Sequence, residues 1–399
     1  MANSLLTINM ITREAVRLWK NSNLFIQNID TQYDSSFAQS GAKIGTSLRV
    51  RLPNDYTVRT GAAASTQDTT EQNLTLTVAT QKGVDVVFNS VERTMSLDDY
   101  STRVIAPAVN NLAGAVAADI MSGAEGNACN YVANVDGNNN CLSPTSNEFL
   151  LANALLDLNS APQMDRYVVL DPYSDARTVQ SLTGLFNPSS GVSQQYREGK
   201  MKNALGFDWF RDQTVIKHTT GTFSAGTVNG GSQTGSTLTV NAITGTLKKG
   251  DIITIAGVNA VNRITKVTTG TLRQFVVTSD VANGATSIPI YPAITAGNVA
   301  YATVDASPAN SAAISLVHKA SEVTRKNFAY YKGAISMVTA DLEMPKAVAE
   351  AARVALDGIS MRMVSQYSVS TDQTITRLDV LYGYIYTRPE WVVVVSDKI

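Results

Sequence analysis

Hydrophobic and polar positions alternate with a period of two along two stretches near the start of the chain. In GTSLRVRLP, Leu48, Val50 and Leu52 alternate with Ser47, Arg49 and Arg51; in NLTLTVAT, Leu74, Leu76 and Val78 alternate with Thr75 and Thr77. This pattern predicts two strands with one apolar face each. The polar stretch between them, NDYTVRTGAAASTQDTTEQ, makes the pair an extended β-hairpin, and Val84, Val86 and Phe88 begin a return strand. Upstream, Ile8, Ile11, Ala15 and Leu18 recur at helical spacing with Trp19 beside them. That helix is too short to be stable alone, so its apolar face is expected to dock on something.

The clearest helix spans 97–122, where Ile105, Val109, Leu112, Val116 and Ile120 fall on one face. Ser96 and Asp99 have capping-box spacing, and Asp98 and Asp99 suit the positive end of the helix dipole. Pro107 is expected to bend this helix near Arg103, and Gly123 to end it. From 147 to 218 the pattern is mixed α/β: a helix at NEFLLANALLDLN, a buried strand at Tyr167 to Leu170, and a helix capped by Asp171 with Pro172 at its first position.

Between 219 and 310 the helical periodicity vanishes. Six short strand candidates, TLTV, DIITIA, RITKV, QFVVT, SIPIY and VAYATV, are separated by turn residues, which predicts a small β-barrel inserted into another domain and able to fold alone. After it, a helix is expected behind Pro345. SMRMVSQY and TITRLDVLYGYIY then form a long hairpin, which Arg388-Pro389-Glu390 interrupts before WVVVV resumes it.

The whole chain has 399 residues, so two or three structural units are expected. Its charged fraction of 16% lies below the ~25% usual for soluble domains, and its net charge is −1. No run of cations is available for phosphate binding, which argues against nucleic-acid recognition as a primary activity. The start of the chain has no signal-peptide pattern, and the longest aliphatic run, Val392 to Val395, is far short of a membrane span. These features predict a protein assembled in a cytoplasm without membrane partners.

Catalytic chemistry finds no support. The two histidines, His218 and His318, are far apart in sequence and read as surface or linker residues. No phosphate-binding, dinucleotide-binding or nucleophile-elbow motif occurs. DGNNNC, from Asp136, begins like a calcium loop but lacks the sixth-position glycine, so a solvated turn is expected. Cys129 and Cys141 are close enough in sequence for a disulfide, although cytoplasmic thiols stay reduced. No enzyme activity, cofactor or metal is expected.

The order of elements, together with TLKKGDIITIAGV (Lys249, Gly250, Asp251, Ala256, Gly257, Val258) and LYGYIYTRPE (Tyr382, Gly383, Thr387, Arg388, Pro389, Glu390), resembles the coat proteins of short-tailed bacteriophages. That resemblance implies an α+β Hong Kong phage-type (Johnson) major capsid fold with an inserted six-stranded β-barrel. Its parts would be an N-terminal arm at 1–45, an E-loop hairpin at 46–90, a spine helix at 91–125, peripheral and axial domains at 126–218 and 311–399, and the barrel at 219–310. In the related proteins a charged loop early in the barrel helps to tie capsomers together; here SAGTVNGGSQTGS carries no charge.

The resemblance implies a chain that self-assembles as hexamers and pentamers into an icosahedral virion shell in the host cytoplasm. Scaffolding and portal proteins would be its partners, and the shell would enclose double-stranded DNA without sequence-specific binding. An encapsulin-like compartment shell and a tail-tube or decoration protein are the alternatives. The hairpin's apolar face has no obvious partner within one subunit, so its tip is expected to bridge subunits. Arg59, Asp68 and Glu71 on the tip, and Arg388 and Glu390 at the strand interruption, are the candidate subunit-interface residues.

Overall fold

The computed structural model describes residues 8–33, 47–89 (without 53, 60, 65 and 69–71), 104–181 and 203–399 (without 346, 347, 349 and 357). The chain divides into two units. The first takes in 1–51, 73–120 and 335–387; the second takes in 52–72, 121–334 and 388–399.

The first unit is built on the strand Gln373–Tyr386. Its early residues pair with Ile359–Ser368, its late residues with Ile335–Ala340, and Thr80–Asn89 pairs with it from Gln373 to Tyr382. Asp30–Tyr33 and Glu350–Leu356 complete a six-stranded sheet. Alternation is clean at the start of the long strand, where Thr374 and Thr376 are buried between the exposed Gln373, Ile375 and Arg377. It fades further on, as Asp379, Val380, Tyr382 and Gly383 are all buried.

The segment behind Pro345 is a strand, not the expected helix. Glu350–Leu356 pairs residue for residue with Ile359–Ser368, and Gly358, at φ +82°, supplies the left-handed backbone of the tight connection. The small helix preference of EAARVAL is overridden by that pairing and by the arm helix Ile8–Ser22, which packs on both strands. The arm therefore docks on its own chain. Its buried face is Thr12, Ala15, Val16 and Trp19, each 0% exposed, while Ile11 and Leu18 are only half-buried. The face is rotated from the expected stripe because the indole, the largest apolar group available, takes the central position.

The hairpin stem pairs Ser47–Arg51 with Asn73–Thr77, placing Leu48 opposite Leu76 and Val50 opposite Leu74. Its apolar face is covered from within the subunit: Leu76 and Val78 are buried against Val338 and Ala340, with Leu48, Val50, Leu381 and Ile385 around them. This corrects the expectation of an unpartnered face. The approach is so close that a Cβ on Gly383 would lie 2.2 Å from the Thr77 carbonyl oxygen.

The helix Ala106–Ser122 buries Ile105, Val109, Leu112, Val116 and Ile120 as its periodicity predicts. It is tied to the sheet by the Tyr382 hydroxyl, which donates to Asp119, and by the Tyr386 hydroxyl, which donates to the Ile120 carbonyl at 2.7 Å. Pro107 is the second residue of the α-helix Ala106–Ser122, with Val104 and Ile105 already in helical turns before it. Ser96, Asp98, Asp99 and Arg103 lie outside the described residues, and so does the expected bend.

In the second unit a seven-stranded sheet runs in the order Asn130–Val132, Val392–Lys398, Val323–Tyr331, Arg166–Leu170, Phe207–Arg211, Asn203–Ala204, and Lys217–Thr219 also pairs with Val323–Tyr331. Phe149, Ala152 and Leu156 of the helix Ser146–Leu158 pack on Val168, Leu170, Phe207, Trp209, Val393 and Val395. Thr145 and Glu148 form a full capping box at its start. Asp171 caps the helix Pro172–Ser181 as expected, its carboxylate accepting from the Tyr173 amide at 2.9 Å.

The inserted sheet has five strands, ordered Gly235–Thr239, Ser287–Ile294, Thr268–Val277, Ile252–Val261, Ile314–Leu316. Single bridges from Val228 to Val240 and from Thr227 to Ala313 join its two edges, so the sheet closes on itself around Phe223, Leu238, Ile253, Phe275 and Ile290. Two strand candidates are corrected. RITKV is the turn between two strands, because the Asn262 side chain accepts from the Ile264 and Thr265 amides and holds the chain in a bend. VAYATV contributes only the isolated bridges of Val304. The strand Ile314–Leu316 lies past the expected boundary at 310.

Candidate functional site

Of the five residues singled out from the sequence, Arg59 and Asp68 are exposed on the 52–72 segment. Arg59 donates to the Gly61 carbonyl of its own turn. Glu71 lies outside the described residues. Arg388 and Glu390 do not face solvent. Arg388 precedes, and Glu390 lies within, a short 3-10 turn, Pro389–Trp391, that leads into the strand Val392–Lys398. That strand joins a different sheet from Gln373–Tyr386, so WVVVV does not resume the interrupted hairpin.

The two side chains close a local polar knot. Arg388 lies 3.3 Å from Glu390 and stacks its guanidinium 5.4 Å from the centre of the Trp391 ring. Glu390 also accepts from Arg263 of the barrel at 2.7 Å, and its backbone carbonyl accepts from Asn130 at 2.7 Å. The knot thus ties the barrel to the edge of the seven-stranded sheet.

A second junction was not legible in advance. Asp55, at the root of the hairpin tip, accepts from the Lys266 ammonium at 2.6 Å and from the Tyr301 amide at 3.2 Å; its own amide donates to the Tyr301 hydroxyl at 3.1 Å. The Lys266 side chain is only 3% exposed. Burial pushes the Asp55 carboxyl up, and the hydrogen bond and charge of Lys266 more than offset this, holding it below its ordinary value. Further out, Thr57 and Gln67 bridge the two arms of the tip through reciprocal backbone-to-amide bonds of 2.8 and 2.6 Å.

The third junction is the neck of the barrel, and it corrects the reading of both histidines as surface or linker residues. His218 and His318 are buried, with ring centres 6.2 Å apart, because the chain entering the barrel and the chain leaving it lie side by side. His218 bridges Asp251 at 2.8 Å and Glu125 at 3.2 Å. Asp251, fully buried, also accepts from the Lys248 amide at 2.7 Å and the Gly221 amide at 3.0 Å. Burial would push its carboxyl up, but these hydrogen bonds, His218 foremost, hold it below the ordinary range.

His318 accepts from the Ile252 amide at 3.1 Å, and burial, reinforced by the charge of Lys326, pushes its pKa down to about 3. Lys326 donates to the Gly250 carbonyl at 2.8 Å and is lowered by burial to about 8. In the sequence Asp251 stands out only as part of TLKKGDIITIAGV, and no spacing rule joins it to either histidine.

Cys129 and Cys141 are buried free thiols, and burial raises both pKa values. Asp136 accepts from the Asn138 and Asn140 amides, which makes the DGNNNC segment a side-chain-stapled turn. Among the described residues no group of three His, Cys, Asp or Glu is placed to hold a metal ion, and no helix is long and apolar enough to cross a membrane.

The family model described as P22 coat protein, gene protein 5, matches residues 20–395. The chain belongs to the P22 coat protein family. It is a structural major capsid protein of the tailed-phage kind. No curated protein sequence matches it.

Among solved structures, it is similar to a chain described as Mycobacterium phage Che8, at 11% identity and TM-score 0.45, over 93% of this chain and 90% of that one. It is similar to a chain from the capsid of cyanophage P-SCSP1u, at 11% identity and TM-score 0.47, over 94% and 88%. The CUS-3 coat protein I-domain matches at 32% identity and TM-score 0.20, over 24% of this chain and 96% of its own. The assignment rests on the family match. Neither the compartment-shell nor the tail-tube alternative is favoured.

Proposed function

We propose that this coat protein forms hexamers and pentamers that close into an icosahedral shell around double-stranded DNA. Scaffolding and portal proteins would be its partners, and assembly would take place in the host cytoplasm. In this reading 46–90 is the E-loop, 91–125 the spine helix, 126–218 and 311–399 the peripheral and axial domains, and 219–310 the inserted barrel. The family match over 20–395 carries it.

The geometry supports a role for the hairpin tip in particular. The stem is covered by its own sheet, whereas the tip exposes Val58 to 85% and keeps Arg59 and Asp68 in solvent. Exposed ion pairs are worth only ~0–1 kcal/mol each, so such contacts act by repetition around a closed shell.

Electron microscopy of the purified chain under assembly conditions tests this reading, alongside a variant lacking 60–70. The expected result is closed shells from the intact chain, and folded subunits with absent or fragile shells from the deletion. Normal, heat-stable shells from the deletion would remove the tip from the assembly contact.

A further inference from the structure

The pair Asp55–Lys266 joins the root of the hairpin tip to the barrel of the same subunit, across 211 positions of sequence. Lys266 closes the turn between two barrel strands: its amide donates to the Asn262 carbonyl at 2.8 Å, and its backbone lies at φ +58°. The turn aims the ammonium inward, where it is nearly inaccessible to water and needs an anion. Asp55 supplies that anion. Its carboxylate and amide are also engaged reciprocally by Tyr301, from a second barrel loop. Arg263, three residues before Lys266, adds its charge near Asp55 while holding Glu390. The tip root is therefore continuous with the knot that starts the strand Val392–Lys398.

We infer that Asp55 and Lys266 are positioning residues for assembly: the inserted barrel holds the root of the 52–72 segment and sets the course along which its tip leaves the subunit. This rests on the shell reading above. A covered stem fixes where the hairpin starts, but beyond Leu52, whose amide still donates to the Gln72 carbonyl, the strand ladder ends, and a polar segment has many courses open to it. A desolvated ion pair with two further hydrogen bonds to Tyr301 in fixed geometry selects one of them. The barrel thereby acts on shell geometry without touching the neighbouring copy through this pair.

The test uses the full chain with Lys266→Met, which keeps the buried stem and removes the charge, and independently Asp55→Asn, which leaves the barrel sequence intact. Trypsin cleavage after Arg59 is followed by mass spectrometry on soluble subunits, and shell yield and diameter by electron microscopy. Both variants should keep the circular dichroism of the parent, be cut at Arg59 at least about tenfold faster, and give fewer or irregular shells. Unchanged cleavage at Arg59 would overturn the latch. Faster cleavage with normal shells would overturn its role in assembly. Failure of the parent chain to form shells would count against the shell reading, while the cleavage comparison would still decide the latch.

Discussion

His318 makes acid stability of the barrel neck a quantitative expectation. Its ring accepts from the Ile252 amide and is buried beside Lys326, so the folded subunit holds it neutral, with its pKa lowered from 6.5 to about 3. The unfolded chain takes up a proton near the ordinary value. A folded-state pKa below the unfolded one means that stability is complete above about pH 6.5 and falls as the pH drops toward the folded value. Between pH 7 and pH 5 the unfolded state gains roughly one proton at this site, which removes about 2 kcal/mol. Lys248, Glu125, Asp251, His218 and Lys326 surround or border the same neck, so the wild-type slope alone does not isolate the effect. The difference between wild type and His318→Gln does, because glutamine keeps an acceptor for Ile252 and does not titrate. Urea unfolding of soluble subunits should show wild type losing about 2 kcal/mol more than the variant over this interval. Equal slopes would refute the assignment of a neutral, buried His318.

Arg388→Ala removes a largely buried guanidinium from Glu390 and from the Trp391 ring, so a loss of about 1–2 kcal/mol in urea unfolding is expected, more than an exposed surface change would give. Gly383→Ala places a Cβ 2.2 Å from the Thr77 carbonyl and should cost about 1–3 kcal/mol, whereas Gly137→Ala, with nothing within 4 Å, should stay within about 0.5. Thermal unfolding of the pair checks the contrast, and equal melting temperatures would contradict the close stem–sheet approach.

What was legible in the sequence follows from the range over which each signal acts. The hairpin stem, the helix Ala106–Ser122 and the pairing of Ile359–Ser368 with Gln373–Tyr386 were readable because their periodicity is local and each buries one face. The arm face was read one step round, since hydrophobicity alone does not say that Thr12 goes inside with Trp19. EAARVAL looked helical because alanine favours helices, and only its partner strand decides otherwise. RITKV satisfied a strand pattern while Asn262 stapled it into a turn. Asp55 with Lys266, and His218 with His318, are brought together by the fold across long separations, and no spacing rule connects them. Arg388 and Glu390 were noticed for the interruption they make, but whether they turn outward or toward Arg263 depends on the barrel.

The two kinds of sheet in the second unit also differ in how soon they can form. The barrel strands Ile252–Val261 and Thr268–Val277 meet after short loops, whereas Asn130–Val132 waits for Val393 to Val395, roughly 260 residues further along. Closing a loop roughly forty times longer costs about 3 kcal/mol more chain entropy before any contact compensates for it. The barrel is thus positioned to become ordered early, and its neck brings Lys217–Thr219 and Val323–Tyr331 side by side before the rest of the sheet exists. An insertion of this kind shortens the effective loop it interrupts, and so shortens the time during which unpaired, valine-rich strands such as Val392–Lys398 are open to the wrong partner.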